Sequence, residues 1–162
     1  MNKKADIYEY LNVNNIWYEK INHEAVYNMD ELSKIDTPYF DVIAKNLFIR
    51  DDKKKNYYLI TLKGNKKINL KEFRKSQNTR ALSFASEEEL QELMSLTAGS
   101  ISPFGLLNDE SLLIHFYIDK DYDDSIIGIH PNDNTETIIL NVKDLIEIIA
   151  THGNEVKVFE IN

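Results

Sequence analysis

Cysteine is absent from this chain of 162 residues, and glycine and proline are scarce, with five and three residues. Without cysteine the chain has no disulfide, no thiolate metal site and no cysteine nucleophile, and it is compatible with a reducing compartment. The low glycine and proline content excludes collagen-like and low-complexity chains, while 43% hydrophobic and 28% charged residues are typical of a globular protein. We therefore expect a single domain over residues 1–162.

Long hydrophobic runs are also absent, since nowhere do about 18 uncharged apolar residues follow one another. The first residues are polar and lead into an amphipathic segment without an apolar signal region. The sequence thus predicts a cytoplasmic protein with no membrane partner. Its four histidines are scattered without the spacing of metal ligands, so we expect neither a metal nor a cofactor.

Positive charge is concentrated in one segment of a chain that is acidic as a whole. The net charge is −8, but residues 45–80 hold twelve basic and three acidic residues, which gives this segment +9 and leaves −17 on the remainder. A charge run is often only a solvated face, yet segregation this strong favours docking of a polyanion in one orientation. The candidate contact residues are Arg50, Lys53, Lys54, Lys55, Lys66, Lys67, Lys71, Arg74 and Lys75.

Hydrophobic periodicity and turn signals predict that helices and strands alternate along the chain. The helices are expected at 3–14, 28–35, 69–76, 86–96 and 141–151. Strands are expected at 17–21, 44–50, 57–62, 112–118, 126–130, 136–140 and 156–159, with a further short strand at 81–84. This order predicts an α+β (mixed α/β) fold, in which a mixed, partly closed sheet or barrel of six or seven strands is surrounded by four or five helices.

Lys45 and Asn46 stand at the mouth of an otherwise apolar strand. Burying an ammonium group costs free energy unless an anionic group lies beside it, so we expect Lys45 to have an anionic partner. Two later stretches are candidates to converge on it: the loop 99–105, which reads Gly-Ser-Ile-Ser-Pro-Phe-Gly, and the segment 128–135, which contains His130 before a proline. The sequence therefore predicts one site built from three separate stretches.

These three stretches resemble the signature blocks of the YbaK/ProX family of prolyl-tRNA synthetase-associated trans-editing domains. The resemblance spans nearly the whole chain, because residues 21–27 are similar to the family's strand that ends in a histidine, here His23. The Lys-Asn-Leu-Phe form at 45–48 and the Ser-Pro-Phe loop are most similar to the alanyl-tRNA(Pro) deacylase branch. The resemblance implies the YbaK-type fold and hydrolysis, in trans, of a wrong amino acid from the 3′ end of tRNA(Pro).

The resemblance also implies a role for each matching residue. Lys45 would hold a phosphate or the terminal ribose, and His130 would bind the substrate's amino group or ribose, unless it only closes its strand. The amides of Gly99 and Ser100 would stabilise an oxyanion. The alternative is that Gly99 only terminates a helix, a position that glycine commonly occupies. The residues expected to contact the substrate are His23, Asn46, Ser102, Pro103, Phe104, Gly105 and Asn134.

No residue of the sequence stands out as a nucleophile or general base. This fits the mechanism that the resemblance implies, in which the 2′-hydroxyl of the terminal adenosine attacks or helps to activate water. The implied partners are the acceptor end of mischarged tRNA(Pro), bound by the basic segment, and prolyl-tRNA synthetase, and we expect a monomer. Two alternatives stay open: a cysteinyl-tRNA(Pro) deacylase, and a non-catalytic tRNA-binding or regulatory module of the same fold.

Overall fold

The computed structural model describes residues 3–25 and 39–161, and in them eight strands and four α-helices are formed. The strands are β1 (Tyr18–Asn22), β2 (Ala44–Asp51), β3 (Tyr57–Lys63), β4 (Leu82–Phe84), β5 (Ile114–Asp119), β6 (Ile126–Ile129), β7 (Glu136–Asn141) and β8 (Val156–Phe159). The helices are α1 (Lys4–Val13), α2 (Leu70–Gln77), α3 (Glu87–Met94) and α4 (Val142–His152). Short 3₁₀ turns lie at 40–42, 98–100, 103–108 and 120–122.

The strands form two sheets. A three-stranded antiparallel sheet has the order β1-β7-β6, and a five-stranded mixed sheet has the order β4-β2-β3-β5-β8. In the larger sheet β2 pairs antiparallel with β3 and β4, whereas β3 with β5 and β5 with β8 are parallel. A single parallel bridge between Ile43 and Gly128 brings the start of β2 beside β6 of the other sheet. The two sheets therefore meet at this corner.

The predicted α+β class is confirmed, with two differences. The strands number eight rather than six or seven, and they form two sheets instead of one partly closed sheet. The reason is that β6 and β7 pair with β1 from the start of the chain, which local sequence patterns do not reveal. The helix predicted at 28–35 lies outside the described residues.

Apolar side chains are buried on both faces of the five-stranded sheet. On the inner face Phe48 and Leu59 pack against Ile138 and Leu140 of the smaller sheet, within the larger core cluster. The outer face carries a second cluster in which Phe73 of α2 joins aromatic residues such as Tyr58, Tyr117 and Phe159. Each fully buried side chain of this size contributes about 1.5–3 kcal/mol, so β2 and β3 are held from both sides.

The helix boundaries follow capping signals. The Asn69 side chain accepts hydrogen bonds from two amides at the start of α2, and Ser86 forms a capping box with Glu89 at the start of α3. Helix α3 ends at Met94 instead of the predicted residue 96, because Ser95 adopts a left-handed conformation with φ 55°. Gly99 is therefore not the stop of this helix. None of the helices in the described ranges is long and apolar enough to span a membrane.

Glu89 ties α3 to the larger sheet through both carboxylate oxygens. Arg50 Nε lies 3.0 Å from Oε1, and the Tyr57 hydroxyl donates to Oε2 at 2.6 Å. The Ser86 amide also donates to Oε1 at 3.0 Å. Burial alone would raise the pKa of Glu89, but the hydrogen bonds from Tyr57, Ser86 and Arg50 outweigh it and lower the pKa to about 2.

We expect Glu89→Gln to destabilise the fold by about 2–3 kcal/mol near pH 7. Because the folded-state pKa is lowered, the stabilisation is complete above the ordinary carboxyl range and is lost as the pH falls toward about 2. Urea unfolding of wild type and variant at pH 7 and at pH 3 measures this difference, which should shrink at the lower pH. Glu92→Gln, an exposed position on the same helix, is the matched control, and an equal loss in both variants would contradict the assignment.

Candidate active site

The three stretches that the sequence singles out come together where the two sheets meet. The backbone bridge between Ile43 and Gly128 lies two residues before Lys45 on one side and two residues before His130 on the other. The third stretch joins them because Ser102 Oγ donates to the His130 carbonyl oxygen at 2.5 Å. A Cβ atom on Gly128 would lie 3.0 Å from Ile43 Cγ1, so the glycine permits this close approach. The geometry thus creates one corner from distant parts of the chain.

His130 is held as a neutral imidazole by a hydrogen bond at one of its two ring nitrogens. Its Nδ1 lies 2.8 Å from the Glu136 carbonyl oxygen, and because a carbonyl only accepts, Nδ1 carries the proton. Burial lowers the pKa of His130, which the hydrogen bond to Glu136 partly offsets. Its Nε2 has no hydrogen-bond partner within residues 3–25 and 39–161. The ring can therefore accept a proton or a hydrogen bond from a ligand at Nε2.

His23 lies beside His130, with ring centroids 6.0 Å apart and planes inclined by 57°. The His23 amide donates to the Thr135 carbonyl at 2.9 Å, which continues the pairing of β1 with β7. The Glu24 carbonyl lies 2.8 Å from Nδ1, so Nδ1 is the protonated nitrogen and Nε2 accepts from the Thr137 hydroxyl at 2.8 Å. Both ring nitrogens of His23 are thus occupied, and its ring forms a fixed wall beside His130.

The loop 99–105 supports the site from the core side. The Ser100 amide donates to the Thr97 carbonyl at 3.0 Å, so it is not available as one of the two predicted oxyanion donors. The amides of Gly99, Ile101 and Ser102 have no acceptor among the described residues. They are the remaining backbone donors of this loop, and Ile101 was not anticipated from the sequence.

The second half of the loop is buried. Phe104 is 1% exposed and lies in the larger core cluster, and Pro103 is buried beside it. Gly105 packs so closely on α3 that a Cβ atom would come within 2.6 Å of Met94 Cε. These three residues, predicted to shape the substrate pocket, therefore anchor the loop to the core, and the Ser102 hydroxyl is committed to His130 and the Phe104 amide.

Lys45 and Asn46 point to opposite faces of the larger sheet. Lys45 pairs with Leu62 of the outer cluster, and Asn46 pairs with Thr61, so neighbouring side chains alternate across the strand. Lys45 Nζ donates to the Lys66 carbonyl at 2.5 Å, and burial, with the nearby charge of Lys67, lowers its pKa. On the inner face Thr61 Oγ1 donates to Asn46 Oδ1 at 2.5 Å, and the Asn46 amide hydrogens have no acceptor in the described part of the chain.

Glu136 connects the site to α1. Its carbonyl holds His130, while its buried carboxylate accepts from the Tyr8 hydroxyl at 2.9 Å and forms an ion pair with Lys4. Burial opposes the charge on Glu136, but the contacts with Lys4 and Tyr8 outweigh this and lower its pKa. The sequence analysis did not predict three residues of the site: Glu136, Thr137 and Thr61. Their signal in the sequence is a polar residue at an inward position of an otherwise apolar strand.

The basic residues divide into paired and free side chains. Arg50 is bound to Glu89, and Lys66 lies 3.0 Å from Asp119 and 2.6 Å from Asp121, so both charges are already neutralised within the protein. The remaining candidates are exposed and form what we call the basic surface: Lys53, Lys54, Lys55, Lys67, Lys71, Arg74 and Lys75. Asn134 is half-buried in the turn between β6 and β7.

Comparison with known proteins assigns this fold and site to a class of protein. Residues 23–148 match the model of the aminoacyl-tRNA editing domain, a range that includes all three converging stretches. The chain therefore belongs to the aminoacyl-tRNA editing domain family, and it is an enzyme of the aminoacyl-tRNA deacylase class.

Individual relatives give a finer comparison. The prolyl-tRNA editing protein ProX of Acetoanaerobium sticklandii is 40% identical over 162 residues, which cover 99% of both chains. The prolyl-tRNA synthetase associated domain-containing protein 1 of Mus musculus is 26% identical, covering 94% of this chain and 92% of that one. A solved structure of a candidate trans-editing enzyme for prolyl-tRNA synthetase covers 90% of this chain and 87% of that chain at 18% identity, with a TM-score of 0.65. The YbaK/ProX resemblance and the fold type are thereby confirmed.

Proposed function

We propose that this protein hydrolyses alanyl-tRNA(Pro) in trans, after the mischarged tRNA has been released from prolyl-tRNA synthetase. We further propose that the protein acts in the cytoplasm as a monomer with a single domain. The observation that carries the proposal is the Nε2 of His130, which has no partner among the described residues and lies at the corner where the three family stretches meet. The relationship to a prolyl-tRNA editing protein over the full chain supports the same substrate class.

The need for such an activity follows from the limits of steric selection. A synthetase pocket shaped for proline cannot exclude a smaller amino acid, because a missing methylene or two discriminates by only about 1–3 kcal/mol. A second site that admits alanine and rejects proline corrects the resulting errors. Correction in trans requires that this site recognise the aminoacyl ester and the tRNA without the synthetase.

Each polar group of the site has a part in this reaction. His130 Nε2 accepts from the substrate's amino group or from the terminal 2′-hydroxyl, since its Nδ1 proton is already donated to Glu136. The free backbone amides of the loop 99–102 stabilise the developing oxyanion, and a donor of this kind lowers the barrier by about 3–4 kcal/mol. Lys45 binds a phosphate or the terminal ribose, and Asn46 orients the ester through the amide that Thr61 fixes.

The test is deacylation of alanyl-, prolyl- and cysteinyl-tRNA(Pro) by the purified wild-type protein. We expect selective loss of the alanyl ester. Faster loss of the cysteinyl ester would assign the protein to the cysteinyl branch. Binding of tRNA without turnover of any of the three esters would support a non-catalytic module and would overturn the proposal.

The basic surface is proposed to bind the acceptor stem. Lys71, Arg74 and Lys75 share one face of α2, because residues three and four apart are neighbours on a helix. We expect their joint replacement by methionine to raise KM and to reduce its salt dependence while kcat is unchanged. Steady-state deacylation at several salt concentrations measures both effects.

The matched control is Lys143→Met, an exposed lysine on α4, which should leave KM and its salt dependence at the wild-type values. A triple variant that lost kcat alone, with KM intact, would show that these residues act on the chemistry instead of on tRNA binding.

A further inference from the structure

A cavity of about 620 Å³ opens beside the candidate active site, next to the end of β3. Its volume lies within the range of about 300–1,000 Å³ that is typical of small-ligand pockets. The residues that matter for its chemistry are Phe40, Asp41, Ile43, Lys63, Lys66 and Asp121.

Two of its walls are shared with the active site. Ile43 lines the cavity, and its backbone forms the bridge to Gly128 at the corner of the two sheets. Lys66 lines it as well, and its carbonyl accepts the hydrogen bond from Lys45 Nζ at 2.5 Å. A ligand in the cavity would thus lie directly next to a group bound by Lys45.

The lining combines an aromatic face, a cation and hydrogen-bonding groups. Phe40 is 36% exposed although it is a large apolar residue, and Asp41 beside it is exposed too. Lys63 Nζ lies 4.8 Å from the centre of the Tyr122 ring and forms no ion pair within the described part of the chain. Lys66, in contrast, is held by Asp119 and Asp121. The cavity therefore offers one unpaired positive charge beside an exposed ring.

This combination fits a nucleotide better than it fits an amino acid or a simple anion. Single-stranded nucleic acid is bound by aromatic side chains that stack on bases and by cations that meet the phosphates. A carboxylate such as Asp41 accepts hydrogen bonds from ribose hydroxyls or exocyclic amines, but it would repel a free anion. Because the lining carries both signs of charge, it disfavours the binding of free inorganic phosphate.

We propose that this cavity binds a nucleotide of the single-stranded 3′ end of tRNA, with its base on Phe40 and its phosphate against Lys63. The inference rests on the proposed function and adds a subsite to it. Binding here places the neighbouring aminoacylated ribose at the corner where Ile43 and Gly128 bring the two sheets together. The subsite is independent of the basic surface, which faces the double-stranded stem.

Phe40→Leu tests the proposal, because it keeps an apolar side chain and removes the aromatic face. Loss of one stacked base is expected to weaken binding by about 10-fold, within the range known for base–aromatic stacking. The affinity is measured by titrating the trinucleotide CCA, and KM is measured with alanyl-tRNA(Pro). Phe84→Leu is the matched control, since Phe84 is 61% exposed on β4 and lies outside this cavity.

The expected result is a weaker affinity for CCA and a higher KM in Phe40→Leu, with wild-type values in Phe84→Leu and equal thermal unfolding midpoints. Lys63→Met should weaken CCA binding and reduce its salt dependence. Wild-type values in both cavity variants would overturn the subsite. If the wild type deacylates none of the esters, the proposed function fails, whereas the CCA titration still decides whether the cavity binds a nucleotide.

Discussion

Replacement of Lys45 by methionine is expected to lower kcat/KM for alanyl-tRNA(Pro) by about 10- to 100-fold, since hydrogen bonds to charged groups contribute about 1.5–3 kcal/mol. The Lys66 carbonyl occupies one of the three ammonium hydrogens and leaves two for the substrate. The ammonium is also partly removed from water because Lys45 is half-buried, and this burial lowers its pKa. A charge in such surroundings interacts more strongly with a phosphate.

Lys143→Met is the control for this experiment, because Lys143 is exposed on α4 outside the basic surface and its loss removes the same formal charge. It should change KM only slightly. Equal activity of Lys45→Met and wild type would show that the contact between Lys45 and Lys66 is purely structural, and an unfolding measurement on the variant separates this from a loss of folded protein.

Local patterns were sufficient to predict most elements of the described chain. The hairpin of β2 and β3 follows from two apolar runs around a polar turn, and it is observed at Ala44–Asp51 and Tyr57–Lys63. Capping residues predicted the starts of α2 and α3, and Gly153 ends α4 with a φ of 119° as expected of a glycine terminator. Each of these features is determined by a few neighbouring residues, and it can therefore be predicted from the sequence.

The faces and partners of the site residues could not be predicted in the same way. Lys45 and Asn46 are adjacent in the sequence, yet the strand alternation directs one to the outer cluster and the other to the inner face. The sequence predicts Arg50 as a nucleic-acid contact, but its partner in the fold is Glu89, 39 residues later. Such pairings depend on how strands and helices pack, and a single sequence holds no local signal for them.

The loop 99–105 shows the same limit for backbone groups. The sequence predicts a helix that ends near Gly99 with the amides of Gly99 and Ser100 exposed, but the helix ends at Met94, and the 3₁₀ turn at 98–100 uses the Ser100 amide. The position of the loop was right because Ser102 does reach His130. Which amides remain free was decided by the turn geometry, and the resemblance alone could not specify it.

Alanyl-tRNA(Pro) that ends in 2′-deoxyadenosine is expected to be hydrolysed about 100-fold or more slowly than the normal substrate, within the range of general acid–base effects. The site offers no activated protein nucleophile among the described residues, because the Ser102 hydroxyl donates to a carbonyl and the Ser100 hydroxyl lies 3.4 Å from Thr97 Oγ1. The substrate's own hydroxyl is then the group nearest to the ester, and holding it in place supplies most of the rate by proximity.

Single-turnover rates with the deoxy substrate measure this effect, and a tRNA with a 2′-deoxy sugar at the preceding nucleotide is the control. His130→Gln should slow the normal substrate but have little further effect on the deoxy substrate, because Nε2 acts through the hydroxyl that is missing. Equal rates for normal and deoxy esters would overturn the substrate-assisted mechanism. In that case Ser102→Ala would decide whether a serine hydroxyl attacks, since an attacking serine predicts that this variant loses activity on both esters.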